Sequence, residues 1–438
     1  MAEKNISYFS VLIVLFGFFS NAHSDQLNST DAVWSQRVVQ QVGVNIHLSF
    51  YDTPYKKFNE IVLPALSELG VIYLRDVFPK NNHFNKLYIS RLKHLCDIGY
   101  RFSLVVFDET NPNYTVDYTT ASYFINSLEG CIHILEGVNE PNLKSNKNWA
   151  AITTNSQRRL FEFINNTKFE VKQPYVAGPS LWGDSAQAIG DLSSVVDIGN
   201  WHTYSGGRNP ESGQDKDGSI FNYLQQAEKI FGNKKILVSE DGYHSAMDAP
   251  INKHRPTPNE VIATYLPRLI LLHRDLGVYQ TYIYELIDTK NNGSSDPESN
   301  FGLVDYEGKR KPQFNALKNL IKIFSDYSDV SCNLDDLFSI KYSVAEDIKI
   351  QLFCKSNGKW LIGLWRPLPI WDPVSREHIS VESIPVKLSF PDRSNKEFKV
   401  TQIDRFGNAN VQEHRANKSG ELIVDANETV SIIEFSMQ

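Results

Sequence analysis

Several things are scarce in this chain, and each scarcity removes a class of function. Its one conspicuous apolar run near the start, Tyr8–Phe19, falls short of the ~20 residues that a membrane-spanning helix needs. Lys4 precedes the run, and Ala22 and Ser24, small residues suited to signal peptidase, follow it. Residues 1–24 therefore read as a cleaved secretory signal. No later segment is apolar enough to span a bilayer, so the expectation is a secreted protein, extracellular or periplasmic, with no membrane partner. Positive charge is scarce as well. The balance of 44 Lys and Arg against 51 Asp and Glu leaves a net charge of −7, which argues against nucleic acid or an anionic membrane surface as partner. Cysteine is limited to Cys96, Cys131, Cys332 and Cys354, in spacings that do not suit a zinc site. In an oxidising compartment the expected pairs are Cys96–Cys131 and Cys332–Cys354. A glycine-rich phosphate turn is also missing. Gly43-Val44-Asn45-Ile46-His47 offers none after the first apolar strand, which counts against a doubly wound open sheet.

What is present is ordinary in bulk, with 41% hydrophobic and 22% charged residues in 438. After removal of the signal, the chain is too long for one hydrophobic core and suggests two domains. Aromatic residues are plentiful, at 20 Tyr, 25 Phe and 7 Trp. Sugar rings stack on such planes, but a large aromatic core explains the same count. Sequons at Asn28, Asn113, Asn165, Asn292, Asn417 and Asn427 would carry glycans only in a eukaryotic secretory path.

Between about residues 43 and 325, apolar strand-like runs alternate with amphipathic helical patterns, as repeated βα units do. Strands are expected at Val42–His47, Val71–Arg75, Arg101–Phe107, Ile132–Asn139, Tyr175–Pro179, Val195–His202, Lys235–Glu240 and Gln280–Glu285. Helices are expected at Phe58–Leu69, Lys86–Ile98, Trp149–Asn165, Ile220–Ile230, Glu260–Leu276 and Phe314–Phe324. Eight strand–helix repeats in that length match an α/β fold, the (β/α)8 TIM barrel, over residues 25–326. After Asp326 the runs become short and several alternate, as at Phe338–Val344, Ile348–Phe353, Trp360–Trp365 and Phe398–Ile403. Residues 327–438 therefore read as a small antiparallel β-sandwich domain. The proline-rich Arg366–Pro373 reads as a loop reaching towards the barrel.

Two apolar runs end in a carboxylate: Ile134–Asn139 before Glu140, and Ile236–Ser239 before Glu240, 100 positions later. A Glu at the end of a buried strand is costly unless something there uses it. The two would end strands four and seven, nearly opposite across the barrel mouth where catalytic groups of this fold sit. A pair of carboxylates about 5–5.5 Å apart is what a retaining glycosidase needs. One would attack the anomeric carbon. The other, its pKa raised by its charged neighbour, would protonate the leaving oxygen.

Asn139-Glu140-Pro141 after an apolar strand resembles the acid/base motif of the clan A retaining glycoside hydrolases, which include families five, thirty and thirty-nine. Val238-Ser239-Glu240-Asp241-Gly242-Tyr243 is similar to the clan's nucleophile segment. The resemblance covers roughly residues 40–325 and implies Glu140 as acid/base and Glu240 as nucleophile, with no metal or organic cofactor. It further implies that Arg75 keeps the nucleophile ionised and that Asn139 binds the sugar 2-hydroxyl. His202 and Tyr204 match the clan's His-x-Tyr after strand six, with Tyr204 orienting Glu240. His47, after strand one, is a candidate for substrate contact.

Two features depart from the clan's pattern. Tyr282-Ile283-Tyr284-Glu285 stands where the clan usually has a tryptophan floor. Tyr284 would then replace the platform, or Glu285 would bind the sugar, or Glu285 would be a structural partner of Arg208 or Arg268. Glu136 faces the same side as Glu140 by alternation but about 13 Å deeper by strand rise, as a residue of the barrel interior. The loop Ser205–Gly213, with Arg208, and the loop Tyr243–Pro256, with His244, are expected to wall the cleft. The reading is of a monomeric retaining hydrolase of an oligo- or polysaccharide. Its rivals are an inactive carbohydrate-binding protein on the same scaffold and a transglycosylase using the same two glutamates.

Overall fold

The computed structural model describes residues 23–79, 86–106, 118–212, 219–250, 254–328, 332, 338–344, 346–390 and 397–436. The signal expected over residues 1–24 lies outside them as far as position 22. Eight parallel strands form the barrel: Val42–Asn45, Tyr73–Val77, Arg101–Val105, Ile132–Glu136, Tyr175–Ala177, Gly199–His202, Ile236–Asp241 and Gln280–Ile283. They pair in chain order, the eighth returning to the first through Tyr282 opposite Gly43. Single bridges between Ala177 and Ile198 and between Leu181 and Trp201 close the gap between strands five and six. All eight run one way, so their C-terminal ends share one rim.

Each strand is buried on both faces, which is why it reads as a continuous apolar run rather than an alternation. The helices match their sequence patterns closely, for example Lys86–Asp97, Trp149–Asn166, Ile220–Phe231 and Pro312–Phe324. Helix Asn259–Asp275 is buried on every side from Val261 to His273, because the barrel covers one face and the second domain the other.

The second domain packs a four-stranded sheet on a six-stranded one, mostly antiparallel. Residues 23–34, of which the linear reading counts 23 and 24 with the signal and the rest with the barrel, supply a strand to each sheet. His23–Asn28 pairs antiparallel with Ser339–Val344, and Val33–Trp34 pairs parallel with Lys349–Cys354. Strand Ala409–Arg415 has no sequence signature, because this outer strand of the six is exposed almost throughout and needs no alternation. Both expected disulfides, Cys96–Cys131 and Cys332–Cys354, are present.

The sandwich is anchored at a buried ion pair of Arg268 with Glu211 from the loop after strand six. Trp365 of the sandwich donates its indole N–H to the same Glu211 at 2.8 Å, and Arg268 also reaches the Leu368 carbonyl at 2.9 Å. The hairpin Trp371–His378 extends this contact to the loop after strand seven. There the Trp371 indole N–H donates to the Pro256 carbonyl at 3.0 Å, and Arg376 donates to the carbonyls of Met247 and Ala249.

Candidate active site

The polar groups on the C-terminal rim converge on Arg75, in the second strand. Its Nε donates to both oxygens of Glu136 at 3.1 and 3.0 Å. Its Nη1 donates to Asn45 Oδ1 at 2.9 Å and Glu240 Oε1 at 2.5 Å. Its Nη2 donates to Asn139 Oδ1 at 2.7 Å. Five donors in a rigid plane thus hold two carboxylates and two amides at fixed angles. Ser103 and Asn200 complete the shell of Glu136, which is wholly buried.

Glu136 is therefore the interior counter-ion of Arg75, but it is not 13 Å below the active rim. One guanidinium touches both it and Glu240. The fourth strand stops at Glu136, and Gly137–Glu140 is no longer extended strand, so the rise of a regular strand does not apply. Glu140 itself is left-handed, with φ 44° and ψ 49°. A residue before proline is driven away from the right-handed helical region, and the bond from Glu140 N–H to the Ser180 carbonyl at 2.9 Å fixes the turn. A left-handed non-glycine residue is held only where its surroundings over-determine it.

Glu240 lies in the seventh strand. Tyr204 O–H donates to its Oε2 at 2.9 Å while Arg75 holds its Oε1. Burial works to raise this carboxyl's pKa, but the neighbouring His202, the Arg75 cation and the bonds from Arg75 and Tyr204 outweigh it. The group is held below the usual Glu value. Gly242, two residues on, is required by space: a Cβ there would meet the Tyr284 carbonyl oxygen at 2.5 Å.

His202 joins the two glutamates. Its Nδ1 is 2.9 Å from Glu140 Oε1 and 3.6 Å from Glu240 Oε2, and its Nε2 shares a hydrogen bond with Ser239 Oγ at 3.1 Å. The ring nitrogen and one oxygen of each glutamate all lie within 4.8 Å of one another. That donor set has the size of a cation site. However, the Arg75 cation lies against Glu240 Oε1 and the Tyr204 hydroxyl donates to its Oε2, and a second cation beside Arg75 would be repelled by it. Among the described residues Asn139 bonds through its Oδ1, accepting from Arg75 and from Ser180 Oγ at 3.0 Å. Its amide N–H groups remain for a ligand.

At the first and eighth strands, His47 Nε2 lies 2.8 Å from Glu285 Oε2. His47 is thus the partner of Glu285, not Arg208 or Arg268. Arg268 is committed to Glu211, and Arg208 Nε donates to the Ser205 carbonyl within its own loop. Burial pushes the Glu285 carboxyl up to about 7, against the pull of His47. Burial alone would lower the His47 pKa, and the bond and charge of Glu285 reverse this and raise it. Tyr284 turns its hydroxyl to Glu298 at 3.2 Å, and its ring packs edge-on to Phe301 at 5.3 Å.

An aromatic wall continues from Tyr284 through Phe301 and Tyr204 to His254 and Trp182. His254 meets Tyr204 edge-on at 4.7 Å and stacks on Trp182 at 5.5 Å. Burial, chiefly, holds the His254 ring down to about 4. His254 belongs to the loop expected to line the cleft, whereas His244 in that loop is fully buried and ties it together through the His254 carbonyl. Asn45, Trp182, His254 and Phe301 carry no motif of their own in the sequence. Only the barrel order, which sends every βα loop to one rim, could have drawn attention to them.

No protein-family profile matches the sequence, and no curated protein matches it. Solved structures do match in fold. A family 39 glycoside hydrolase from Bacteroides cellulosilyticus WH2 aligns over 92% of this chain and 82% of its own, with a TM-score of 0.61 at 13% identity. A glucosidase from Croceicoccus marinus aligns over 91% and 96%, with a TM-score of 0.58 at 11% identity. A family 30 endoxylanase from Clostridium papyrosolvens C71 aligns over 91% and 96%, with a TM-score of 0.51 at 12% identity. The chain has the fold of the clan A glycoside hydrolases, a TIM barrel with an attached β-sandwich.

Proposed function

We propose that this protein is a secreted retaining glycoside hydrolase that cleaves an O-glycosidic bond of an oligo- or polysaccharide by double displacement. Glu240 is the nucleophile and Glu140 the acid/base. The observation that carries the proposal is the approach of the two carboxylates to within 4.8 Å on one rim. One oxygen of each carboxylate that near the other suits the ~5–5.5 Å carboxyl separation of retaining enzymes. The fold shared with a family 39 glycoside hydrolase, a glucosidase and an endoxylanase supports the same reading, as do the two disulfides for an exported chain.

In the first step a Glu240 oxygen bonds to the anomeric carbon, the glycosidic C–O bond breaks, and Glu140 gives its proton to the leaving oxygen. In the second step Glu140 takes a proton from water, whose oxygen displaces Glu240 from the sugar. Arg75 and Tyr204 keep the attacking carboxylate ionised and aimed, and Asn139 offers its amide to the 2-hydroxyl. His47 and Tyr284 stand on the side of the site formed by strands one and eight, where sugar hydroxyls would meet them, and the buried Glu285 backs His47.

The test is turnover on a panel of aryl glycosides and wall polysaccharides, by the wild type and by Glu240→Gln. Release of sugar by the wild type, lost in the variant with sugar binding retained, supports the proposal. Binding without turnover in either would make the protein a carbohydrate-binding protein on a glycosidase scaffold. Longer products on addition of a sugar acceptor would make it a transglycosylase.

A further inference from the structure

The opposite end of the barrel carries a pocket that the proposed chemistry does not use. Its volume is about 490 Å3, and Arg37, Lys235, Arg274, Tyr73, His133 and Tyr279 stand in its wall. These positions lie at or just before the N-terminal ends of strands two, four, seven and eight and on the helices Gln36–Gln41 and Asn259–Asp275. The pocket therefore opens on the rim away from Glu140 and Glu240. The volume falls within the ~300–1,000 Å3 typical of small-molecule sites.

Its charge is one-sided. No carboxylate lines it, and among the described residues none of Arg37, Lys235 and Arg274 forms an ion pair. Three uncompensated cations around one concavity repel each other in a chain whose net charge is −7. Burial and the nearby Arg37 lower the Arg274 pKa, against the pull of Asp275. Such focusing raises the local concentration of anions.

The rest of the wall suits a sugar ring. Tyr279 and His133 lie nearly parallel at 6.1 Å and share a hydrogen bond at 3.0 Å. Burial, reinforced by Lys172 and Arg101, holds the His133 ring down to about 4, so it is a neutral aromatic partner at pH 7. Lys235 sits 5.9 Å over the Tyr279 ring. The amides of Gln40, Gln41 and Gln280 also border the space, donors and acceptors of the kind that pair with hydroxyls. A second hollow of about 420 Å3 adjoins it across Lys235, Gly277 and Val278; it adds Lys234 and Leu224 and also one carboxylate, Glu228, so the cationic wall is that of the first hollow. The two together make a trough at the base of the barrel.

We infer that this basal trough is a second carbohydrate site, for an oligosaccharide whose rings carry carboxylate or sulfate groups. The cations take the acidic groups, the tyrosine faces take the rings, and the glutamine amides take the hydroxyls. The site is independent of the carboxylate pair at the other rim and does not require that pair to be catalytic.

The test is calorimetric titration of the full-length protein with oligogalacturonate, with a chondroitin sulfate oligosaccharide, with a neutral cello-oligosaccharide and with inorganic sulfate. Saturable binding of an acidic oligosaccharide is expected, weakening as salt is raised. Uptake of the first probe identifies carboxylate as the recognised group, and uptake of the second identifies sulfate. Lys235→Gln and Arg274→Gln should each weaken binding by about tenfold. Arg37→Glu, at an exposed position, gives a charge reversal that does not disturb the core and should weaken binding further. Failure of both acidic probes to bind overturns the inference. So does binding that all three cation variants leave intact, or inorganic sulfate binding as tightly as the oligosaccharides.

Discussion

The buried pair of Arg75 and Glu136 gives the sharpest energetic prediction. The Arg75 side chain is 5% exposed and that of Glu136 is fully buried, with their atoms 3.0 Å apart. Removing one partner of such a pair leaves a charge without compensation and costs about 3–5 kcal/mol. Arg75→Met should fall in that range, because it strands Glu136 against only Ser103 and Asn200. Glu136→Gln should cost less, about 2–3 kcal/mol, since Arg75 keeps Glu240 and two amides as partners. At roughly 2 °C per kcal/mol for a domain this large, the expected losses in Tm are about 6–10 °C and 4–6 °C. The double variant Arg75→Met with Glu136→Gln removes both charges and should lose less than the sum of the two single losses by up to about 3 kcal/mol. Calorimetric unfolding of the four proteins closes the cycle. Additive losses would refute the pairing, and so would an Arg75→Met protein as stable as the wild type. The same substitution lifts the restraint on Glu240, so the acid limb of kcat/KM should move up by one pH unit or more.

Other expectations follow from neighbouring contacts. Tyr204→Phe deletes one bond to Glu240 and should lower kcat by about ten- to a hundredfold with little change in KM, as steady-state kinetics will show. Burial raises the carboxyls of Asp76 to about 6 and of Asp241 and Glu285 to about 7. An unfolded chain ionises these groups earlier than the folded one, so their contribution to stability falls as pH rises from about 4.5 to 7. His47, raised by Glu285, is stabilising below its unfolded pKa and loses that contribution as pH rises through its folded value. Glu240 and Glu211 are lowered, so their contribution is present above about 4.5 and is lost as pH falls. Burial holds the rings of His133 and His254 down to about 4 and that of His273 to about 3, and these favour the folded chain increasingly as pH rises towards 6.5. Glu285→Gln removes one of the opposing carboxyls, so Tm measured from pH 4.5 to 7 should rise more, or fall less, with pH than it does in the wild type. Arg376→Ala frees the loop that carries His254 from the sandwich hairpin. It should raise KM several-fold while changing Tm by less than about 3 °C.

The barrel was legible in the sequence because strands buried on both faces leave unbroken apolar runs, and because Glu140 and Glu240 interrupt such runs at their ends. The paired helices were legible for the same reason: one buried face imposes its period. Ala409–Arg415 left no trace because solvent covers it, and residues 23–34 left none because two short strands owe their form to distant partners. In the site, alternation told which way Glu136 faces but not its depth, since Gly137–Glu140 departs from strand geometry. The partner of Glu285 was equally hidden. His47 and Glu285 meet only because strand eight closes on strand one, a contact between residues 238 positions apart.

The most direct measurement is the anomeric configuration of the first sugar released, followed by proton NMR immediately after enzyme is added to a substrate found by the glycoside panel. With Glu140 and Glu240 acting as acid/base and nucleophile, the newly formed hemiacetal must carry the same configuration as the bond that was cleaved, before mutarotation sets in. Release of the opposite anomer would contradict the double displacement and the roles given to both glutamates.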